Sequence, residues 1–165
     1  MMKSLIIVRH AKSSWEISTP NDFDRPLNER GKKDAPAAAK RLIKKGISID
    51  AFISSPAKRA KKTAKHFIKE YKVDKDKIIL VPELYEAHSD TFYDVIEDID
   101  DSFNSVALFS HNPGVTDFVN TLTDVKIDNM PTSGVFGVQC NITKWSDFRS
   151  APKSFWFFDY PKLNE

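Results

Sequence analysis

Apolar residues in this chain fall into short unbroken runs, and between the runs they return every three or four positions. The runs occupy residues 5–8, 51–54, 78–81 and 106–109. Those at 5–8, 78–81 and 106–109 lack polar alternation, which predicts strands covered on both faces of a parallel sheet. After the first run, Ala35, Ala38, Ala39, Leu42 and Ile43 keep helical spacing, and Gly46 supplies a stop. Asp34 is the expected cap of that helix and Pro36 falls in its first turn, leaving the preceding "NERGKK" as a separate short turn. Ala57, Ala60, Ala64, Phe67, Ile68 and Tyr71 predict a second helix. Phe92, Val95, Ile96 and Ile99 predict a third, starting near Ser89; Val115, Phe118, Val119 and Leu122 predict a fourth, near 113–122.

Helical spacing then stops. "GVFGVQCNI" and "KSFWFFDY" read as two strands joined by a loop, so an antiparallel pairing is expected at a sheet edge. Phe155, Trp156, Phe157 and Phe158 read as core and edge packing. The order β-α-β-α-β-α-β-α-β-β predicts an α/β fold: a three-layer α/β/α sandwich with a mostly parallel sheet and an antiparallel edge strand. A length of 165 residues suits one domain over 1–165 with a sizeable core.

The polar residues that interrupt this pattern are placed with a purpose. Ligands of open parallel sheets sit beyond the carboxyl ends of the strands. Arg9 and His10 follow the first run, and "SSPAKR" follows the second, carrying Arg59 into a helix. Glu83 and Glu86 follow the third, and "SHNPG" follows the fourth with His111. Two arginines, two histidines and carboxylates on one rim suit a phosphoryl group. Guanidinium forks match its oxygens and stay charged at any working pH. Ser13 and Asn112 are further candidate donors to phosphate, or simple turn caps, and peptide N–H groups near Asn112 could add to them.

Charge narrows the partners. Lys and Arg total 25 against 23 Asp and Glu, and a net charge of +2 falls short of the clustered excess of a nucleic-acid binder. Lys58, Lys61, Lys62, Lys65 and Lys69 read first as a solvated helix surface, with docking to an acidic protein as the alternative. His66, among them, reads as structural or solvent-facing, and His88 as a rim or loop histidine. A single cysteine, Cys140, suits a reducing compartment and reads as a packing residue. No apolar stretch approaches the ~20 residues of a membrane span, and the run at 5–8 is too short for a signal peptide. The expectation is a cytoplasmic chain with no nucleic-acid or membrane partner.

"RHAKSSW", "SSPAKRAKKTA" and "SHNPG" resemble the three signature segments of the histidine phosphatase superfamily, the phosphoglycerate mutase-like proteins. "DFDRPLNERGKKDA" and the short length resemble its SixA-like phosphohistidine phosphatase branch. The resemblance spans nearly the whole chain. It implies a phosphoglycerate mutase-like fold, a phosphatase that needs no metal or cofactor, and a phosphorylated protein or small phosphorylated metabolite as partner. It implies His10 as the nucleophile that becomes phosphorylated, Arg9 and Arg59 as clamps, and His111 as an imidazolium completing the pocket. It further implies Glu86, in "PELYEAHSD", as proton donor and Arg25, in "RPL", as a substrate contact. Two departures stand out: Ala11 replaces a familiar glycine, and Glu86 lies in a loop whose acid position varies between branches.

The chemistry sets conditions on both rings. For His10 to attack phosphorus its reacting nitrogen needs a lone pair, so the other nitrogen should donate to a fixed acceptor such as a backbone carbonyl. His111 should be protonated beside a bound phosphate. Three other readings stay open at this stage. They are a mutase or small-molecule phosphomonoesterase, a phosphate-recognition module without turnover, and a metallohydrolase using His10, His88 and His111.

Overall fold

The computed structural model describes residues 2–15 and 21–164. Its first strand, β1 (Met2–Arg9), lies inside a six-stranded sheet. It pairs in parallel with β4 (Ser105–Ser110) and antiparallel with β5 (Val135–Asn141). Beyond β4 come β2 (Ala51–Ser54) and the edge strand β3 (Ile78–Leu80); β6 (Lys153–Asp159) closes the other edge. The order is therefore β3-β2-β4-β1-β5-β6, parallel over four strands and antiparallel over the last two.

Side chains at 5–8 of β1 alternate between two cores, which is why that run shows no polar positions. Ile6 and Val8 join Ala38, Ala39 and Leu42 of α1 (Glu29–Lys44) and Ala64, Phe67 and Ile68 of α2 (Lys58–Glu70). Leu5 and Ile7 join Phe92 and Ile96 of α3 (Ser89–Glu97) and Val115, Phe118 and Val119 of α4 (Gly114–Val119). The result is the expected α/β/α sandwich. Lys3 is buried in β1, its ammonium donating to the Asp101 and Phe103 carbonyls and to Asn104 Oδ1. Cys140 is a buried packing residue, as expected. Among the described residues no helix is long and apolar enough to cross a membrane.

Two local expectations are corrected. "NERGKK" is not a separate turn. It belongs to α1, which Asn28 caps by accepting from the Gly31 N–H at 2.9 Å, while Asp34 lies mid-helix against Arg30. Pro36 sits in the helix interior; the missing bond is tolerated because buried Ala35, Ala38, Ala39 and Leu42 anchor the helix around it. A Cβ on Gly31 would lie 2.1 Å from the Lys12 carbonyl, so only glycine lets α1 start against the chain leaving β1. The second correction concerns the run at 78–81. It is an edge, with Ile79 and Leu80 each 40% exposed, whereas β2 is buried throughout.

Candidate active site

Parallel strands β1, β2 and β4 end side by side, and Arg9 with the segments that follow the strands lines one pocket of about 770 Å³. Main-chain bonds fix its centre: the His10 N–H donates to Ser110 O at 3.1 Å, and His10 O accepts from the Ser133 N–H at 3.2 Å. Within the ring, Nδ1–H donates to Ala11 O at 2.8 Å. That bond fixes the tautomer and leaves the Nε2 lone pair exposed to the site. Arg59 Nε points at this nitrogen from 3.4 Å. The backbone acceptor anticipated for His10 is thus present, and it is the neighbouring peptide. The Ala11 N–H is itself held by Thr63 Oγ1 at 2.9 Å, so α2 braces the loop that carries His10.

The His111 ring lies 5.2 Å from that of His10, centroid to centroid, and its Nε2 shares a 2.8 Å hydrogen bond with Ser55 Oγ. Burial pushes His10 down to about 3, helped by His111, Arg59 and Arg9 against the opposing Ala11 carbonyl. Burial, then Arg59, pushes His111 down to about 3 as well, with Asp22 opposing. Both rings are therefore neutral in the free pocket, and the imidazolium expected at His111 requires an anion beside it.

Positive charge resides in the arginines. Arg9 Nη1 donates to Met130 O at 2.8 Å. Arg25 Nη1 donates to Ser13 Oγ at 2.6 Å, and its guanidinium lies 3.6 Å over the Trp15 ring. Arg59, in the first turn of α2, donates through Nη1 to the Asp22 carbonyl at 2.7 Å and through Nη2 to Asp22 Oδ2 at 3.0 Å. Arg25 Nη2 meets the other carboxylate oxygen at 3.2 Å, and the Tyr85 hydroxyl donates to Oδ2 at 2.7 Å. Partial burial opposes ionisation of Asp22, but the Tyr85 hydroxyl and the arginines prevail and hold it at about 2. Among the described residues Arg9 Nε, Arg25 Nε and His111 Nδ1 are buried without a partner, a costly state that an incoming acceptor would relieve.

Of the residues placed on the rim, Arg9, His10, Ser13, Arg25, Arg59, Glu86, His111 and Asn112 line this pocket and Glu83 does not. Their states differ. Glu86 is exposed at the rim, in a left-handed conformation with φ 60°. A Cβ on Gly114 would lie 2.1 Å from Ala87 O, a close approach that presses the Glu86 loop against the turn after His111. Asn112 has its amide hydrogens committed to Asn129 Oδ1 and to Met130 O, the carbonyl that also accepts from Arg9. Ser13 is committed to Arg25. His88 lines the rim, Glu83 lies in a different groove with Asp94 and Asp98, and His66 is outside the pocket. Among the described residues no three His, Cys, Asp or Glu side chains cluster as metal ligands would. Sequence reasoning missed Asp22 and Tyr85. The i, i+3 spacing of Asp22 and Arg25 was the available signal for the first, and adjacency to Glu86 for the second.

Residues 5–113 match the family model of the histidine phosphatase superfamily (branch 1). The Agrobacterium tumefaciens protein assigned as phosphohistidine phosphatase SixA superposes with a TM-score of 0.78 at 26% identity, over 96% of this chain and 99% of that one. A SixA structure in complex with tungstate shares the fold, with a TM-score of 0.78 at 21% identity over 98% and 99%. The 2,3-bisphosphoglycerate-dependent phosphoglycerate mutase of Bartonella bacilliformis is 38% identical over 74 residues, 42% of this chain and 35% of that protein. An uncharacterized protein of Mycobacterium leprae is 31% identical over 140 residues, 78% of this chain and 84% of the other. The match thus spans about a third of the mutase's length and most of the mycobacterial protein's. The matched region contains all the strand ends that build the pocket, and the chain belongs to the histidine phosphatase superfamily, with a SixA-like fold.

Proposed function

We propose that this chain is a phosphatase that passes a phosphoryl group through a phosphohistidine on His10, without a metal, and takes protein phosphohistidine or a small phosphate ester as substrate. The observation that carries the reading is the tautomer of His10. Nδ1–H is spent on Ala11 O, so Nε2 offers its lone pair beside Arg59. In the first step Nε2 bonds to phosphorus while the bond to the leaving group breaks and its electron pair departs with that group. Charge spreading over the equatorial oxygens meets Arg9, Arg25 and Arg59, cations already fixed by their own partners. The anion draws a proton onto His111, which then bonds a phosphoryl oxygen. In the second step water attacks phosphorus, the P–N bond to His10 breaks, and the neutral ring returns with inorganic phosphate.

Leaving-group chemistry favours the phosphoramidate. A phosphohistidine ring protonated on its other nitrogen departs as neutral imidazole, whose conjugate acid has a pKa of ~6.5, with little further help, whereas an alkoxide needs a proton donor. Glu86 is the candidate donor, and its exposed rim position suits a bulky ester better than a direct role at phosphorus. The test is to incubate the protein with a radiolabelled phosphoramidate, quench, and locate the label. Acid-labile, alkali-stable phosphate on His10, absent in His10→Asn, is the expected result. Turnover without label, or saturable binding without turnover, removes the covalent route.

A further inference from the structure

A second concavity, a groove of about 760 Å³, runs beside the pocket along α2. Lys58, Lys62, Lys65 and Lys69 lie at i, i+4, i+7 and i+11, which places them on one face of the helix. Lys32 and Lys75 join them in the lining, together with the aliphatic Pro26, Leu27, Ile68 and Val73, of which Leu27 and Ile68 are buried. Among the described residues no carboxylate lines it. Of the six lysines, only Lys32 has a salt-bridge partner among the described residues, Glu29 at 3.4 Å. The crowding is felt electrostatically: burial, then Lys61, Lys62 and Lys75, lowers Lys65, and burial, then Lys69 and Lys62, lowers His66 against the opposing Glu70.

We propose that this groove docks an acidic segment of a phosphorylated protein substrate, an inference that rests on the phosphatase reading and commits it to a protein rather than a metabolite. Position supports it: Arg25 and Arg59 line the pocket, while their neighbours Pro26, Leu27 and Lys58 line the groove. The Lys58 N–H donates to Phe23 O at 2.9 Å, tying the shared wall together. A chain held by the lysines is thereby delivered to the mouth of the His10 pocket. The lining also selects the class of partner. Among the described residues it contains no arginine, tryptophan, tyrosine or phenylalanine to fork onto or stack with nucleic-acid bases, and its one ring, His66, is half-buried. Its aliphatic residues are recessed, whereas a membrane-binding face presents them outward. Glutamates flanking leucines on one helical or extended segment satisfy both the charged walls and the apolar floor.

The test uses three substrates: free phosphohistidine, a Leu/Glu peptide bearing one phosphohistidine, and the same peptide with Gln for every Glu. Three exposed ion pairs predict that the Glu peptide has a KM about tenfold below that of the Gln peptide. The advantage should vanish in the triple variant Lys62→Gln, Lys65→Gln, Lys69→Gln, while kcat on free phosphohistidine is unchanged, which also reports that the variant is folded. The control Lys40→Gln, Lys44→Gln, Lys144→Gln carries the same change in net charge away from the groove and should keep the advantage. Equal KM values in the wild type, an advantage that survives in the groove variant, or one lost equally in the control overturns the inference. Tighter binding of oligouridylate or phosphatidylserine vesicles than of the Glu peptide overturns it too. If free phosphohistidine is not turned over at all, the phosphatase reading fails, and anisotropy of the unphosphorylated Glu peptide still decides the groove.

Discussion

The pocket and the groove are both basic and share a wall, yet their cations are built in opposite ways. Arg25 and Arg59 are each buried to within 8% exposure and hold fixed acceptors, whereas the groove lysines stand largely in solvent with one carboxylate among six of them. A guanidinium survives burial because it is weakly hydrated, always charged and able to hold two or three acceptors in a plane. An ammonium pays more for desolvation and keeps its reach through a flexible stem. The first kind of cation positions an anion to within an ångström; the second attracts one from a distance. The pocket also carries its own counter-ion, Asp22, shared by both arginines, whereas among the described residues the groove's one carboxylate partner is Glu29, on Lys32 at its rim. On the proposed reading, chemistry belongs to the former and capture to the latter.

Arg59→Ala should break this contrast most severely. It removes the group facing His10 Nε2, and kcat should fall about 10²–10³-fold, as for other preorganised donors to a developing anion. Arg59→Lys should recover little, because a point charge cannot face Nε2 and Asp22 along one planar edge. Lys62→Ala, four α2 positions on from Lys58, should leave kcat on free phosphohistidine within twofold. Steady-state rates on that substrate decide the matter. An Arg59→Ala enzyme within tenfold of wild type would show that the arginine orders the pocket without serving phosphorus.

How far the sequence reached follows the same division. The strand ends were legible because an apolar run that stops at Arg9-His10 or at Ser110-His111 marks both a β-strand and its exit. The tautomer condition on His10 was legible too, since the chemistry demands it before any coordinates exist. Edge and centre were not: Ile79 and Leu80 carry the same letters as a buried strand, and only pairing tells them apart. Asp34 and "NERGKK" misled because a proline seemed to demand a helix start, while Asn28, eight residues earlier, supplies the actual cap. Asp22 was invisible for a different reason. Its significance comes from Arg59 and Tyr85, residues 37 and 63 positions away, that converge on it only in the fold.

Protonation gives the next test. An ordinary ring titrates near 6.5, and His10 and His111 are held at about 3 when folded. Between those values the unfolded chain binds more protons than the folded one. Their contribution to stability is therefore complete above pH 6.5 and is lost as pH falls towards 3. Each ring should cost about 2 kcal/mol of unfolding free energy between pH 6.5 and 5. Urea unfolding at the two values measures it, and His10→Asn should flatten the dependence more than the groove variant His66→Asn. Saturating phosphate should soften the loss, because it draws a proton onto His111 in the folded state. A stability that is level from pH 7 to 5 would place a charged ring in the free pocket.

The smallest effect should come from making the pocket resemble the groove. Asp22 occupies donors of Arg25 and Arg59 that a phosphoryl oxygen would also use, and its carboxylate is ionised at any pH above its value of about 2. An incoming phosphate must therefore share those arginines with an anion already present. Asp22→Asn keeps an amide oxygen for Arg59 and Tyr85 but removes the competing charge. Inorganic phosphate should then inhibit about tenfold more tightly at pH 7, the worth of one charge-assisted contact. Slower turnover should accompany it, since a product held harder leaves later. Weaker phosphate inhibition in Asp22→Asn would reverse the assignment: the carboxylate would be ordering the two arginines for the anion rather than contending with it, and the pocket's internal neutralisation would be a scaffold for binding.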